Sequence, residues 1–307
     1  MTNPASAAWV EPDAHPDSPF LPDNDGAYRR WRDAKLTGYP ASAGELVVEL
    51  GDPRAMSAGE RAELLRVCRK ANMAIYRSRL GALEDKDIPH RLGSAFGLRD
   101  LDRNPLADDD GVTSLSHVPG KSERGYIPYS NRRLLWHTDG YYNPPARRIR
   151  AFLLHCVRPA GEGGENGLLD HEIAYLRLRD TDPEYVRALM HPLAMTIPPN
   201  VESGTETRGA QSGPVFSIDP LNGRLHMRYT ARTRSIVWRD DAITREAVQC
   251  LERILAEDSP HVFRYRLASG EGLLCNNVVH NRAAFSDAPG ATRLLYRARY
   301  YNRLADT

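Results

Sequence analysis

The stretch LLWHTDGYYNPP, residues 134–145, places His137 and Asp139 two positions apart. The apolar residues before His137 predict a strand, and the Pro144-Pro145 pair predicts its end. Side chains two residues apart on a strand share a face, about 6.6 Å apart along the backbone. An imidazole and a carboxylate so placed can bind one divalent metal ion, as in a 2-His-1-carboxylate iron site. Alone, the triplet fits a strand-end ion pair equally well, so a third ligand is required.

The third candidate ligand is His280, which ends the apolar stretch GLLCNNVVH. This stretch predicts a strand with an imidazole at its rim, the same layout as the motif around His137. His280 must come from a different strand, and a jelly roll can bring such distant strands together. A lone histidine is more often a core or surface residue, which is our interpretation of the other histidines outside the motif.

Two arginines, Arg293 and Arg297, follow in the last predicted strand. The planar guanidinium group binds both oxygens of a carboxylate, so an arginine near a metal site indicates an acidic ligand. Alternation along the strand predicts that both side chains share one face. The other interpretation, an exposed polar face paired with acidic residues, fits Arg299 and Arg303 better than Arg293.

Composition argues against several functional classes. The 307 residues include 41 Lys and Arg and 40 Asp and Glu, so no basic face indicates nucleic acid binding. No apolar run approaches the ~20 residues of a membrane span, and the first residues do not resemble a signal peptide. Four scattered cysteines predict reduced, buried thiols. We therefore expect a cytoplasmic protein with a small-molecule substrate and neither a nucleic acid nor a membrane partner. The oligomeric state stays open, a homo-oligomer included.

The remaining patterns predict one domain after a short arm. Residues 1–26 contain five prolines among Asp and Ser, which predicts an extended or flexible arm, and residues 27–307 are expected to form a single domain. Ser57 and Glu60 predict a capping box at the start of a helix. Strands are predicted at 45–50, 71–78, 151–157, 262–267, 272–279 and 293–301, and helices at 57–70, 85–97, 171–178 and 241–257. This pattern predicts a mainly β fold with flanking helices, as in a sandwich or jelly roll.

Several motifs together resemble one enzyme family. His137-Thr138-Asp139, GGEN at 163–166, His280 and Arg293 are similar to the motifs of the taurine dioxygenase-type family of Fe(II)- and 2-oxoglutarate-dependent oxygenases. The similarity extends from about residue 45 to residue 303. HNRAAF, which begins at His280, is closer to the γ-butyrobetaine hydroxylase and clavaminate synthase branch, where His-Gly-Arg-x-x-Phe is usual. The resemblance implies a double-stranded β-helix (jelly-roll) core.

The resemblance also implies roles for individual residues. His137, Asp139 and His280 would bind Fe(II), and Arg293 would bind the distal carboxylate of the co-substrate 2-oxoglutarate. Asn166 stands where the family often has a threonine that contacts the co-substrate, and its amide can still donate a hydrogen bond. The implied reaction uses O2, converts 2-oxoglutarate to succinate and most often hydroxylates a C–H bond. Asp139 argues against a halogenase, because related halogenases lack the carboxylate ligand.

The substrate is less well defined by the sequence, which indicates a small polar or charged metabolite. Tyr141, Tyr142 and Asn143 follow the metal motif and are candidate substrate contacts, although packing explains them equally well. Arg297 can contact a sulfonate or carboxylate of the substrate, or support Arg293. Three alternatives stay open: an iron-dependent oxygenase with another co-substrate, a protein hydroxylase, and a non-catalytic jelly-roll binding protein.

Overall fold

The computed structural model describes residues 15–102, 110–116, 129–202, 205–232 and 236–307. Within these ranges it contains six α-helices: α1 (Asp25–Leu36), α2 (Ala58–Ala71), α3 (Asp87–Ala95), α4 (His171–Thr181), α5 (Pro183–Leu189) and α6 (Ala242–Ala256). None of these helices combines the length and the apolar character needed to cross a bilayer. The predicted helices near 57–70, 85–97, 171–178 and 241–257 are all confirmed, with boundaries shifted by a few residues.

Strands are short and numerous over the same ranges. They are β1 (Val47–Leu50), β2 (Met73–Ser78), β3 (Thr113–Ser116), β4 (Leu134–His137), β5 (Ala151–Arg158), β6 (Glu162–Gly163), β7 (Asn166–Leu169), β8 (Met195–Ile197), β9 (Asn200–Glu202), β10 (Thr205–Arg208), β11 (Gln211–Gly213), β12 (Phe216–Ile218), β13 (Leu225–Met227), β14 (Val237–Trp238), β15 (Phe263–Tyr265), β16 (Glu271–Cys275), β17 (Val279–Arg282), β18 (Phe285–Ser286) and β19 (Leu294–Tyr300). The prediction of a mainly β protein with several helices is confirmed.

Local sequence signals explain where the helices begin. The Ser57 hydroxyl accepts a hydrogen bond from the Glu60 amide, and the Glu60 carboxylate accepts one from the Ser57 amide, so the predicted capping box is present. Asp182 caps α5 by accepting a hydrogen bond from the Glu184 amide, with Pro183 at the first helical position. These contacts satisfy amide groups that would otherwise lack partners at the helix start.

The described residues group into two compact units. The first comprises those within Met1–Thr37, His171–Arg228 and Arg232–Glu257, and the second those within Gly38–Asp170, Tyr229–Ala231 and Asp258–Thr307. The first unit contains α1, α4, α5, α6 and three small sheets; the second contains α2, α3 and the larger sheets. A single domain over residues 27–307 therefore stays a prediction.

The arm predicted over residues 1–26 is packed where the structure describes it. Residues 1–14 lie outside the described ranges, and residues 15–24 form turns. Phe20 is buried, with its ring 5.0 Å from Trp31 and 5.7 Å from Tyr175. Arg179 of α4, also buried, donates hydrogen bonds to the carbonyls of residues 19, 21 and 22. The arm is therefore held by a residue far along the chain, which proline content cannot reveal.

Two sheets dominate the second unit. The six-stranded sheet has the order β1-β2-β16-β5-β19-β3, and the four-stranded sheet has the order β15-β7-β17-β4. Only the β1–β2 pair is parallel among these described strands. Residues of β5 from Ala151 to Val157 are all buried, as expected for a strand covered on both faces. Leu168 and Phe263 of the four-stranded sheet belong to the same hydrophobic core as β5.

One predicted strand is two strands. GLLCNNVVH was interpreted as one strand that ends in His280, but β16 ends at Cys275 in the six-stranded sheet and β17 begins at Val279 in the four-stranded sheet. Asn277, between them, has a φ of 51°, in the left-handed region that asparagine tolerates better than most residues. The chain therefore changes sheets at the two asparagines, a turn signal inside an otherwise apolar run.

Candidate metal centre

The two predicted histidine ligands face each other across neighbouring strands. His137 is the last residue of β4, and His280 is the second residue of β17, directly opposite it in the antiparallel register. Residues paired in this way project from the same face of a sheet, and the two ring centroids lie 4.2 Å apart. The sheet register therefore brings together residues that are far apart in the sequence.

Backbone carbonyls set the orientation of both imidazoles. Nδ1 of His137 lies 2.9 Å from the carbonyl oxygen of Leu135, and Nδ1 of His280 lies 2.9 Å from that of Val278. A carbonyl only accepts, so each Nδ1 carries a proton, and Nε2 is the ring nitrogen that can bind a metal. Burial, and then the neighbouring His137, lower the pKa of His280 to about 3. His280 is therefore neutral at physiological pH, as a metal ligand must be.

The Asp139 carboxylate lies near the two imidazoles although Asp139 is not part of β4. We predicted that alternation along one strand would align it with His137, but β4 ends at His137 and Asp139 lies in the following turn. Its backbone amide donates a hydrogen bond to Oδ1 of Asn277, at 2.8 Å. Gly140 comes next with a φ of 68°, and a Cβ there would lie 2.5 Å from Ile149. The position of the carboxylate thus depends on a turn and a distant asparagine.

The three side chains form a cluster that fits a divalent cation. We call His137, Asp139 and His280 the donor cluster; one potential ligand atom from each lies within 4.8 Å of the other two. Asp139 Oδ1 is 3.7 Å from His137 Nε2, and the buried Oδ2 has no hydrogen-bond partner among the described residues. Two imidazole nitrogens and one carboxylate oxygen suit Fe(II) and leave coordination positions open. The assignment of these residues as ligands stays a prediction.

Two arginines of β19 lie near the carboxylate. Nη1 of Arg297 is 3.5 Å from Asp139 Oδ1. Burial alone would raise the pKa of the Asp139 carboxyl, but the opposing influences, led by the Arg297 guanidinium, hold this pKa well below its usual range. Asp139 is therefore ionised. The Nε of Arg297 is buried without a hydrogen-bond partner in the described part of the chain.

Arg299 differs from the expectation of an exposed polar side chain. It is buried, and it donates hydrogen bonds to Asp102 and, at 3.3 Å, to the hydroxyl of Tyr142. Alternation places Arg299 on the same face of β19 as Arg297 and Leu295. The prediction of an exposed site failed because the charge of Asp102 compensates a buried guanidinium, and that partner is distant in sequence.

Arg293 lies in a separate pocket, just before β19. We call this the arginine pocket; it is lined by Cys156, Pro159, Ala160, Gly163, Gly164, Asn166, Arg266, Leu267, Arg293 and Leu295. Arg293 is only 5% exposed, and burial lowers its pKa. Its guanidinium carbon lies 4.9 Å from the centroid of the Phe285 ring. Asp287 accepts a hydrogen bond from the Arg293 backbone amide and acts on the guanidinium electrostatically, but no described carboxylate forms an ion pair with it. A buried cation without an ion-pair partner is suited to an acidic ligand.

Asn166 opens β7 and lines the same pocket. It pairs with Arg282 of β17, two residues from His280, so Asn166 lies on the face of the sheet that carries the histidines. Its amide nitrogen is 3.4 Å from the carbonyl oxygen of Tyr265, a long hydrogen bond that leaves the amide donor capacity. The structure thus brings Asn166 and Arg293 together.

The predicted substrate residues Tyr141, Tyr142 and Asn143 lie in the turn after Asp139. The rings of Tyr141 and Tyr142 pack edge to face at 5.1 Å. Asn143 closes the turn: its backbone amide donates to the Gly140 carbonyl, and its side chain donates to the Arg147 carbonyl. The contacts of Tyr142 and Asn143 indicate that both residues stabilise the turn. A role of Tyr141, Tyr142 and Asn143 in substrate binding stays a prediction.

Sequence reasoning missed Asn277 and Phe285 as site residues. Phe285 has the guanidinium carbons of Arg282 and Arg293 each 4.9 Å from its ring centroid. Burial, and then Arg293, lower the pKa of Arg282 to about 9. The two asparagines that interrupt GLLCNNVVH were the available signal for Asn277, because polar residues inside an apolar run need buried partners.

Comparisons with known proteins support the motifs. The family described as taurine catabolism dioxygenase TauD, TfdA family matches residues 32–299. A uridine-5'-phosphate dioxygenase from Amycolatopsis sp is 34% identical over 176 residues, which cover 54% of this chain and 60% of that protein. A uridine-5'-phosphate dioxygenase from Streptomyces sp is 31% identical over 204 residues, which cover 64% and 70% of the two chains. The chain thus spans less than two thirds of the first relative.

A solved structure has a similar fold. It is an asparagine oxygenase in complex with Fe(II), 2S,3S-3-hydroxyasparagine and succinate, with a TM-score of 0.57. The alignment covers 91% of this chain and 84% of that chain, at 17% identity. At this identity the similarity concerns the fold alone.

Proposed function

Because the chain belongs to the taurine catabolism dioxygenase TauD, TfdA family, as its motifs indicated, we propose that it is an Fe(II)- and 2-oxoglutarate-dependent dioxygenase that oxidises a C–H bond of a small metabolite. We also propose that the six-stranded and four-stranded sheets form the double-stranded β-helix of that family. Hydroxylation is the outcome we expect.

The observation that carries this proposal is the donor cluster. The Nδ1 atoms of its two imidazoles donate hydrogen bonds to backbone carbonyls, and its ionised carboxylate has a buried oxygen without a hydrogen-bond partner among the described residues. A buried acceptor of this kind is costly unless a ligand compensates it. A divalent cation bound by His137, Asp139 and His280 would compensate it.

The chain's residues would bind and orient what the reaction needs. Fe(II), 2-oxoglutarate and O2 together supply an oxidant able to remove hydrogen from a C–H bond. Arg293 would bind the distal carboxylate of 2-oxoglutarate, and Asn166 would donate a hydrogen bond to the same molecule. Arg293 and Cys156 are buried, and a buried environment strengthens an ion pair relative to water.

The first substrate to test is uridine-5'-phosphate, because two relatives at 34% and 31% identity carry that name. Arg297 supports an anionic substrate. It lies beside the donor cluster, and its only carboxylate partner in the described part of the chain is Asp139, the proposed metal ligand. A second anion near the metal, such as a phosphate, would have this guanidinium available.

The experiment is a two-step assay on the full chain. Anaerobic addition of 2-oxoglutarate to the Fe(II)-loaded protein should produce a visible metal-to-ligand charge-transfer band. Addition of O2 and uridine-5'-phosphate should then form succinate in step with oxidised nucleotide. Tight iron binding without the band and without succinate would contradict the co-substrate. The band without coupled turnover would contradict only the substrate, and a library of anionic metabolites would then be screened.

A further inference from the structure

We propose that Asn277 is a positioning residue that holds the turn of Asp139 in its metal-binding position. The inference rests on the proposed metal site, but it concerns hydrogen bonds between protein groups. It addresses how a carboxylate outside the strand comes to lie beside two histidines that the sheet register aligns.

The side chain of Asn277 makes three hydrogen bonds around this turn. Oδ1 accepts from the backbone amide of Asp139 at 2.8 Å, and Nδ2 donates to the backbone carbonyl of Asp139 at 3.0 Å. Nδ2 also donates to the carbonyl of Ile149, at 2.7 Å. One amide group therefore binds both backbone polar groups of Asp139 and ties the turn to the residues before β5. A shorter or charged side chain cannot reproduce this pattern.

The position of Asn277 in the chain links its hydrogen bonds to the distance between Asp139 and His280. It lies three residues before His280, at the point where the chain passes from the six-stranded to the four-stranded sheet. Its φ of 51° directs the chain into β17. Asn277 therefore connects the turn that carries one donor to the strand that carries another, and a shift of the residue would change the distance between the two donors.

Because Asn277 is buried, loss of its hydrogen bonds to the Asp139 backbone should be unfavourable. Asn277 is 2% exposed, so its hydrogen bonds are shielded from bulk solvent, and removal of the side chain takes these partners away. The amide and carbonyl of Asp139 would then lack partners, and each unsatisfied buried group is unfavourable. The turn would relax to recover hydrogen bonds, and the carboxylate would move with it. Partners outside the ligand shell commonly tune metal affinity in this way.

The neighbouring Asn276 offers a matched control. It is 3% exposed, but its side chain points elsewhere: it donates to Asn72 and Thr307 and accepts from the amide of Leu304. Both asparagines are buried, satisfied by hydrogen bonds and part of the same turn between sheets. Of these two asparagines, Asn277 is the one whose side chain forms hydrogen bonds with Asp139.

The test compares Asn277→Gly with Asn276→Ala. Glycine accepts the positive φ, so the first variant removes the side chain without straining the backbone. Mn(II), a redox-stable probe for the Fe(II) site, is titrated by calorimetry. Hydrogen exchange of the Asp139 amide is measured in the metal-free protein, where no activity is involved. Asn277→Asp is a second variant that keeps the acceptor for the Asp139 amide and loses the donor to the two carbonyls.

We expect Asn277→Gly to weaken Mn(II) binding roughly 10- to 100-fold and to accelerate exchange of the Asp139 amide. Asn276→Ala should stay within about twofold of the parent in both measurements, even if it lowers stability. Asn277→Asp should lie between the parent and Asn277→Gly. Parent-like Mn(II) affinity and exchange in Asn277→Gly would overturn the inference, as would equal losses in Asn276→Ala. A parent protein that binds no Mn(II) would instead contradict the proposed function.

Discussion

The donor cluster and the arginine pocket are stabilised in different ways. In the donor cluster, backbone groups orient the side chains: carbonyls bind the Nδ1 atoms of both histidines, and Asn277 binds the backbone of Asp139. In the arginine pocket, Arg293 packs on the ring of Phe285, and Asp287 acts on its charge without forming an ion pair. Both regions keep a buried charged group for a ligand to compensate: the Oδ2 of Asp139 in the donor cluster and the Arg293 guanidinium in the arginine pocket.

This difference suggests that the donor cluster binds the metal and that the arginine pocket binds the co-substrate. Because the ligand side chains already have a fixed orientation, they lose little conformational entropy when the metal binds. A buried, uncompensated guanidinium instead favours a ligand with the opposite charge and disfavours neutral ones. We expect variants of the donor cluster to change metal binding, and variants of the arginine pocket to change 2-oxoglutarate binding while the metal stays bound.

The largest expected effect is the loss of a metal ligand. His280→Ala should abolish turnover. It should also weaken Fe(II) binding by more than the roughly 10- to 100-fold that is typical when a residue hydrogen-bonded to a metal ligand is removed. His155→Ala is the control, because His155 is fully buried in β5 and its Nδ1 pairs with the hydroxyl of Tyr76. Calorimetric titration should show near-parent metal affinity in the control. Equal losses in both variants would indicate general damage and break the comparison.

The next effect concerns the arginine pocket. Arg293→Met should raise the dissociation constant of 2-oxoglutarate by at least about 30-fold, because a desolvated carboxylate would lose its partner. Metal affinity should be unchanged. The charge-transfer band, followed during anaerobic titration, measures co-substrate binding, and a separate Mn(II) titration by calorimetry measures metal affinity. Arg297→Met, the matched control, should have a smaller effect on 2-oxoglutarate. If the two variants weaken co-substrate binding equally, Arg293 has no special role.

The pH dependence of stability should also separate the two regions. Unfolded histidine binds a proton near pH 6.5, whereas buried His280 does so only near its lowered pKa of about 3. Between these values the unfolded state binds more protons, so stability falls as pH is lowered, by up to about 1.4 kcal/mol per pH unit. Urea unfolding of the metal-free protein should show a shallower slope for His280→Gln and a parent-like slope for Arg293→Met. A parent-like slope in His280→Gln would contradict this assignment.

The smallest predicted effect tests the aromatic support of Arg293. Phe285→Leu removes the ring under the guanidinium and should weaken 2-oxoglutarate binding about three- to tenfold, the range of a cation–π contact. Phe152 is the counterpart in the other region, with its ring 4.7 Å from that of His280. Phe152→Leu should change Mn(II) affinity more than it changes co-substrate affinity. The opposite pattern would show that the two regions are not independent.

Local patterns in the sequence determined much of the fold. The Ser57–Glu60 capping box, the continuous apolar strand at 151–157 and the amphipathic helix near 241–257 depend on neighbouring residues only, and the structure contains all three. The same holds for the His137-Thr138-Asp139 motif as a family marker, since the family assignment is confirmed. Such features are predictable because caps and periodicity act within one or two turns of chain.

The tertiary structure alone decided how the site is assembled. Alternation predicted that a single strand would align His137 and Asp139, but the turn and Asn277, 138 residues away, place the carboxylate. The sequence predicted an exposed Arg299 because arginine is charged, but the side chain is buried and donates a hydrogen bond to the Asp102 carboxylate. In each case the deciding partner is a hydrogen-bonding or charged group distant in sequence. Its contribution exists only after the chain has folded and water has been excluded, so no local pattern can encode it.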